Sequence, residues 1–288
     1  MPRSLLLMAL LGVALPAALA QPRDVHPVRS GPSALSLNGS WQFKYVAGSE
    51  LGSDVVFSDP DLANTAAWPA ITVPGHWELQ GFAEPKYGRQ LVEGTGLYVR
   101  HFQVPAGWSG QKVFLHFDGV LYGFEAWVNG TRVGSWASAY NPVAFDVTDA
   151  LRPGGDNLLA VRVTTRSHGW AFDVNDCWAL SGIYRDVTLF AVPDAHLTDF
   201  TAQTKLNPDG SASLTVNTFT TASGVSFAEI TGRLLGPDGN PAADLHFSND
   251  KGTVCSATVT LTHPQLWTAE TPALYTLELA LSSGSCSR

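Results

Sequence analysis

Cysteine is scarce in this sequence of 288 residues, which contains Cys177, Cys255 and Cys286. The three lie far apart, without the close pairing that zinc sites require, and an odd number cannot all pair within one chain. Neither a zinc site nor a disulfide framework is therefore expected, and each cysteine is most simply a small apolar side chain.

Positive charge is also limited. The chain has 17 Lys and Arg against 25 Asp and Glu, a net charge of -8 at pH 7, and no basic stripe. Nucleic-acid binding depends on clustered Lys and Arg that neutralise phosphates. The composition argues against a nucleic-acid partner and favours a neutral ligand.

Long apolar runs are absent after the first twenty residues. Arg3 is followed by an uncharged run at 5–20 that ends in Ala18-Leu19-Ala20. This pattern predicts a secretory signal peptide cleaved after Ala20, so that the mature chain begins at Gln21. The run is shorter than the ~20 residues that a membrane helix needs. We expect an exported protein, periplasmic or secreted, with no membrane span in the mature chain.

A sustained helical period is missing as well. From Leu35 onward short alternating stretches rich in Val, Phe, Tyr, Trp and Thr are separated by turn residues, among 27 Gly and 18 Pro. Asn129-Gly130 is the signal of a tight hairpin, and further turns are predicted at 207–210 and 236–239. This texture predicts an all-β fold, and strands at about 8–12-residue spacing are typical of sandwiches. Pro193 falls where a second domain is expected to begin.

The stretch 176–187, read as DCWALSGIYRDV, is unusually rich in charge for this chain. The alternation of residues 183–188 predicts a strand in which Arg185 and Asp186 point to opposite faces and serve structural roles. Asp176 precedes that strand in a loop with Asp173. Such a carboxylate either accepts sugar hydroxyls or binds a hard cation, or it turns its own backbone, and spacing alone leaves these readings open.

Several segments, taken in order, resemble the amino-terminal part of the β-galactosidases of glycoside hydrolase family 2. They are residues 37–43, 73–82, 94–102, 117–120, 127–130, 176–187, 264–267 and 272–275. The resemblance implies a galactose-binding-like jelly-roll β-sandwich, the sugar-binding domain, at 35–193 and an immunoglobulin-like β-sandwich at 194–282. Around these lie the signal peptide at 1–20, an extension at 21–34 and a tail at 283–288.

In that family a catalytic (β/α)₈ barrel comes third and carries two Glu residues, the acid/base and the nucleophile. No position here matches that barrel, so we predict no catalytic residue. Chemistry gives the same answer, because retaining glycoside hydrolysis needs two carboxyl groups ~5 Å apart and no pair in this sequence is recognisable as such. The carboxylates considered were Glu78, Glu93, Glu125, Asp173 and Asp176.

The resemblance also implies site residues. Asp176 matches an Asp that reaches into the barrel's active site, where it contacts a galactosyl hydroxyl and a sodium ion. Glu93 falls where the family has a companion Asn, with Gly94 in place of a Pro. The implied partners are a β-galactoside or related glycan and the missing barrel, with Na⁺, Mg²⁺ and a homo-oligomer belonging to the complete enzyme.

Two alternatives stay open from the sequence, a stand-alone secreted carbohydrate-binding module and a structural interaction domain. An exposed apolar patch would favour the fragment of a larger enzyme, and weak sugar binding by the chain alone would favour the module. Trp77, Trp170 and Trp178 can stack on a sugar, although Trp more often packs in a sandwich core.

Overall fold

A computed structural model describes residues 30–48, 65–87, 93–167, 170–174, 178–221, 228–251 and 254–283. The predicted signal peptide, Asp176, Cys177 and Cys286 lie outside these residues. Strands are the main regular element of the described chain, alongside one short helix, α1 (Trp170–Asp173), and 3₁₀ turns at Glu78–Gln80, Ala106–Trp108 and Thr148–Ala150. The predicted fold class, an all-β jelly-roll sandwich followed by an immunoglobulin-like sandwich, is confirmed.

The first sandwich is made of two antiparallel sheets and two short strand pairs. Its strands are β1 (Ala34–Ser36), β2 (Gly39–Ala47), β3 (Ala70–Val73), β4 (Lys86–Tyr87), β5 (Gly94–Gln103), β6 (Lys112–Phe117), β7 (Val120–Leu121), β8 (Gly123–Val128), β9 (Thr131–Trp136), β10 (Val143–Asp146), β11 (Asp156–Thr164), β12 (Trp178–Ala179), β13 (Gly182–Ile183) and β14 (Val187–Val192). One sheet has the order β1-β14-β6-β10 and the other β3-β2-β5-β11-β8-β9, while β12 pairs with β4 and β13 with β7.

The core of this sandwich follows from strand alternation. In β2 the buried Trp41 and Phe43 alternate with Gln42 and Lys44, as the two-residue period of a strand requires. Trp41, Phe43, Trp77 and Tyr98 have essentially no exposed surface. Aromatic side chains thus supply much of the apolar area buried in the first domain.

The hairpin predicted at Asn129-Gly130 is confirmed. β8 pairs with β9 across these two residues, and both have positive φ, 51° and 83°. Two successive positive φ angles match the twist of the flanking strands, which is why Asn-Gly is favoured there.

The second sandwich contains β15 (Leu197–Leu206), β16 (Ala212–Thr220), β17 (Ala228–Leu235), β18 (Pro241–His246), β19 (Ser248–Lys251), β20 (Val254–Leu261) and β21 (Thr276–Ser283). Its sheets have the orders β15-β16-β20-β19 and β18-β17-β21. Its buried core contains Leu214, Val216, Leu234, Leu245 and Ala257. The predicted turns are confirmed, because Gly210 N donates to Asn207 O and Gly239 N to Gly236 O.

The strand predicted through Arg185 and Asp186 is wrong. Residues 184–186 form a bend between β13 and β14. β13 pairs with β7, but β14 pairs with β6 in the four-stranded sheet, so the chain must turn as it changes partner. Asp186 still has the structural role expected, since its Oδ1 accepts a hydrogen bond from Asn38 Nδ2 at 2.9 Å.

Candidate functional site

The charged stretch that ends at Val187 is joined to residues 74–82 by backbone hydrogen bonds. Gly75 N donates to Ile183 O at 2.8 Å, and Trp77 N donates to Ser181 O at 3.3 Å. Gly182 has φ 115°, and a Cβ there would lie 2.7 Å from Tyr98 Oη and 3.0 Å from Gly75 O. Only glycine fits this close approach. We call these two segments, 74–82 and 178–183, the clamp.

Glu78 is the charged member of the clamp. Its side chain is buried, with 7% of the residue exposed, and its Oε2 accepts a hydrogen bond from Ser181 N at 2.9 Å. Burial raises the pKa of the Glu78 carboxyl, while the bond from the Ser181 N–H opposes that rise. Gln80, two residues on, both donates to Thr72 O and accepts from Thr72 N. Through its hydrogen bond with Ser181 N, the Glu78 carboxylate anchors the backbone that follows Asp176.

His76 lies beside Glu78 in the clamp. Its ring stacks on Tyr184, with centroids 5.6 Å apart and an angle of 12° between planes. Burial lowers the pKa of the His76 imidazole. A stacked imidazole with a lowered pKa is a structural arrangement of the clamp.

An exposed aromatic pair joins Trp178 of the clamp to Tyr87 of β4. β12 pairs with β4, and the rings of Trp178 and Tyr87 meet edge to face with centroids 5.4 Å apart. Trp178 is 54% exposed and Tyr87 58% exposed. Trp77 is a core residue, as expected for most tryptophans, but Trp178 presents its ring to solvent.

The segment that precedes Asp176 is held by α1. Asp173 Oδ2 accepts from Ala139 N at 2.8 Å, and Asp173 O accepts from the Tyr140 hydroxyl at 3.2 Å. Val174 is buried, and Phe172 in the same turn is 88% exposed. Asp176 itself lies outside the described residues, and its role stays a prediction.

Glu93 lies immediately before β5 and forms an ion pair with Arg166, whose Nη2 is 2.7 Å from Glu93 Oε1. Next to it, the backbone of Gly94 lies against the Tyr45 ring, and a Cβ at residue 94 would overlap that ring. Thr165 Oγ1 accepts from Gly94 N at 2.9 Å, which fixes the start of β5. The structure brings Glu93 to an arginine, and its predicted contact with a substrate remains a prediction.

The other carboxylates considered from the sequence also have structural partners. Glu125 accepts from Arg132 at 2.8 Å and forms a second ion pair with Arg162. Asp173 and Glu78 accept backbone N–H groups. Each of these four described carboxylates thus has a hydrogen-bond or ion-pair partner within the fold.

From the resemblance, a sodium site at Asp176 was expected only with ligands supplied by the missing barrel. Among the described residues there is no group of three or more His, Cys, Asp or Glu side chains able to hold a metal ion. Within the same described ranges, no helix is long and apolar enough to cross a membrane.

Sequence reasoning missed the anchoring role of Glu78 and the pairing of Arg166 with Glu93. The available signal for Glu78 was its position between Trp77 and Leu79, as the only acidic residue of the segment 74–82. No local pattern pointed to Arg166, because its partner is 73 residues away in the sequence and is brought near only by the pairing of β5 with β11.

Comparison with known proteins matches both sandwiches to models of one protein family. The family model for the sugar binding domain of glycosyl hydrolases family 2 matches residues 34–193, and a second model of glycosyl hydrolases family 2 matches residues 195–287. Relatives include a β-galactosidase of Priestia megaterium, 31% identical over 87% of this chain and 26% of the relative. A β-galactosidase of Clostridium acetobutylicum is 33% identical over 90% of this chain and 30% of the relative.

Solved structures share the fold. A β-glucuronidase of Bifidobacterium dentium superposes with a TM-score of 0.72 at 22% identity, covering 92% of this chain and 48% of that one. β-Glucuronidase 2 of Bacteroides uniformis superposes with a TM-score of 0.72 at 25% identity, covering 88% and 30%. The chain spans less than a third of the length of the two β-galactosidase relatives, and the region it matches is the non-catalytic one.

Proposed function

Because this chain belongs to glycosyl hydrolase family 2, we propose that it supplies the sugar-binding and immunoglobulin-like domains of an exported β-galactosidase-like glycosidase. The two matched domains occupy residues 34–287, which leaves no stretch of the ~250 residues that a (β/α)₈ barrel takes up. In this proposal the acid/base and the nucleophile come from polypeptide beyond these residues, and the present chain shapes one wall of the sugar pocket.

The observation that carries the proposal is the exposed aromatic pair held by the clamp. A tryptophan and a tyrosine project beside the segment that contains Asp176, and a buried carboxylate anchors the backbone behind them. Exposed aromatic faces on a rigid support suit stacking on a sugar or contact with another domain. The pair is therefore the surface on which we expect substrate and barrel to meet.

The second domain offers an exposed apolar surface of its own. Leu266, Trp267 and Leu274 lie in the connection between β20 and β21 and are 52%, 60% and 70% exposed. Three large apolar side chains within nine residues favour contact with a further domain over a stand-alone module.

Asp176 would contact a galactosyl hydroxyl and a sodium ion, with the remaining ligands supplied from outside this chain. Glu93, neutralised by Arg166, would line the flank of the same pocket. Mg²⁺ and a homo-oligomer belong in this proposal to the complete enzyme, and no residue described here is assigned to either.

A chimera tests the proposed function. Residues 21–288 would replace the matching region of the Priestia megaterium β-galactosidase, and hydrolysis of o-nitrophenyl galactoside would be compared with that of the relative lacking the region. We expect turnover by the chimera and none by the isolated chain. A folded chimera as inactive as the truncated relative would contradict the proposal, as would hydrolysis by the isolated chain that survives repurification.

A further inference from the structure

A groove of about 860 Å³ opens at one end of the six-stranded sheet, where β8 begins and where β9 and β11 end. This volume lies within the range of ~300–1,000 Å³ found for small-molecule sites. The groove is on the first domain and is formed by described residues of this chain alone. Its lining combines an aromatic ring, several hydroxyls and two guanidinium groups, from Trp136, Ser135, Ser138, Thr164, Arg162 and Arg166.

The charged side chains of the groove are fixed by their positions on adjacent strands. Glu125 on β8 lies opposite Arg162 on β11, and the two form an ion pair. Arg132 on β9 binds Glu125 from the other side, with Nη2 to Oε1 at 2.8 Å and Nε to Oε1 at 3.2 Å. Arg162 also lies over the Trp127 ring at 6.0 Å. This network holds its guanidinium groups in place before any ligand arrives.

The balance of charge around the groove is positive. Three guanidinium groups, those of Arg132, Arg162 and Arg166, face two carboxylates, those of Glu125 and Glu93. The whole chain carries a net charge of -8, so this local excess runs against the overall composition. Arg166 is the most exposed of the three, with 69% of its side chain accessible against 35% for Arg132, and a guanidinium can form paired hydrogen bonds to a carboxylate or a sulfate.

The remaining lining is suited to sugar hydroxyls and ring faces. Trp136 Nε1 donates to Asn141 O at 3.2 Å, and Asn141 Nδ2 donates to Ser138 Oγ at 2.7 Å, so the ring and the hydroxyl are both positioned. Ser167 Oγ is buried in the wall and has no hydrogen-bond partner among the described residues. A Cβ at Gly123 would lie 2.5 Å from Ser167 Cβ, so the glycine allows Ser167 to pack closely against the start of β8.

From these features we infer that the groove binds a glycan unit that carries a negative charge, a carboxylate or a sulfate. The charged group would be bound by Arg166, and the sugar would use the Trp136 face and the Ser138 hydroxyl. The inference goes beyond the proposed function, although Arg166 also pairs with Glu93, which that function places at the flank of the galactoside pocket. Every residue that would bind the glycan belongs to this chain.

The test is a binding titration of the chain by calorimetry and amide chemical shifts. Digalacturonate probes the carboxylate, galactose 6-sulfate probes the sulfate, and lactose serves as the neutral sugar. We expect at least one anionic probe to bind about tenfold tighter than lactose, and its affinity to fall as NaCl increases. Equal affinity for lactose and both anionic probes, or no binding of any probe, would overturn the inference.

Variants locate the site. Arg166→Gln should weaken the anionic probe about tenfold, the loss expected for one charge-assisted interaction of ~1.5 kcal/mol. Ser135→Glu, which adds a carboxylate opposite Glu125, should weaken it as well. Arg152→Gln, an exposed arginine outside the groove, is the matched control and should leave the affinity unchanged. With thermal midpoints intact, unchanged affinity in the first two variants would place the binding elsewhere and refute the assignment.

Discussion

Replacing Glu78 tests whether the clamp depends on its buried carboxylate. Glu78→Leu removes the acceptor of the Ser181 N–H, which is bound at 2.9 Å in a buried setting. Glu78→Gln keeps a side-chain oxygen of the same reach and removes a charge that burial disfavours. The comparison of Leu with Gln therefore isolates the hydrogen bond from the cost of burying the charge.

The expected magnitude follows from the cost of an unpaired buried N–H group. A donor that loses its only partner costs ~1–3 kcal/mol, so Glu78→Leu should unfold more easily than Glu78→Gln by that amount. At pH 7 Glu78→Gln should be at least as stable as the wild type, because burial raises the pKa of the Glu78 carboxyl and so makes its charged form costly.

Urea unfolding followed by tryptophan fluorescence measures this difference. All tryptophans except Trp267 precede β14, so the signal reports mainly on the first domain. Glu84, which is exposed and paired with Lys86, is the matched control, and its Leu and Gln variants should differ by less than about 0.5 kcal/mol. Equal stability of Glu78→Leu and Glu78→Gln would show that backbone hydrogen bonds alone hold the clamp.

Two further predictions rest on the structure, and a third rests on the sequence alone. Because the folded-state pKa of Glu78 is raised above its ordinary 4.5, the folded chain binds more protons above that pH than the unfolded chain does. The stability of the wild type relative to Glu78→Gln should therefore fall as pH rises from 4.5 through the raised pKa, and parallel pH curves of unfolding would contradict this. Gly182→Ala should cost about 2 kcal/mol or more in urea unfolding, because φ is 115° and the new Cβ meets Tyr98 Oη, whereas Gly107→Ala has open space and ordinary φ. Similar losses in the two glycine variants would be evidence against that reasoning. Secreted protein should begin at Gln21 by intact mass, and a soluble exported product that retains residues 1–20 would disprove the signal peptide.

Local sequence patterns were sufficient to predict much of the fold. Asn129-Gly130 specified its hairpin because two positive φ angles are needed there, and the turns at 207–210 and 236–239 were recognisable for similar reasons. Strand alternation in β2 identified the core residues Trp41 and Phe43.

Features set by the pairing of distant strands were not predictable in the same way. The bend at 184–186 exists because β13 and β14 pair with different strands, and nothing in the local alternation records that change. Trp77 is buried and Trp178 exposed, although both lie in short apolar stretches, since the position of each in the sandwich decides its exposure. Asp176 and Glu93 were identified by resemblance, and the ion pair of Glu93 with Arg166 required the folded chain.

The central claim, that this chain forms one wall of a galactoside pocket through Asp176, is tested most directly by Asp176→Asn measured in two settings. In the isolated chain the variant should change the free energy of unfolding by less than about 0.5 kcal/mol, since the proposed sugar and sodium contacts require the barrel. In the chimera with the Priestia megaterium relative, galactoside turnover should fall roughly thirtyfold or more, the effect of removing a charged partner worth ~2 kcal/mol or more. A loss of turnover of less than about threefold relative to the unmodified chimera would contradict the claim, because the expected loss is roughly thirtyfold.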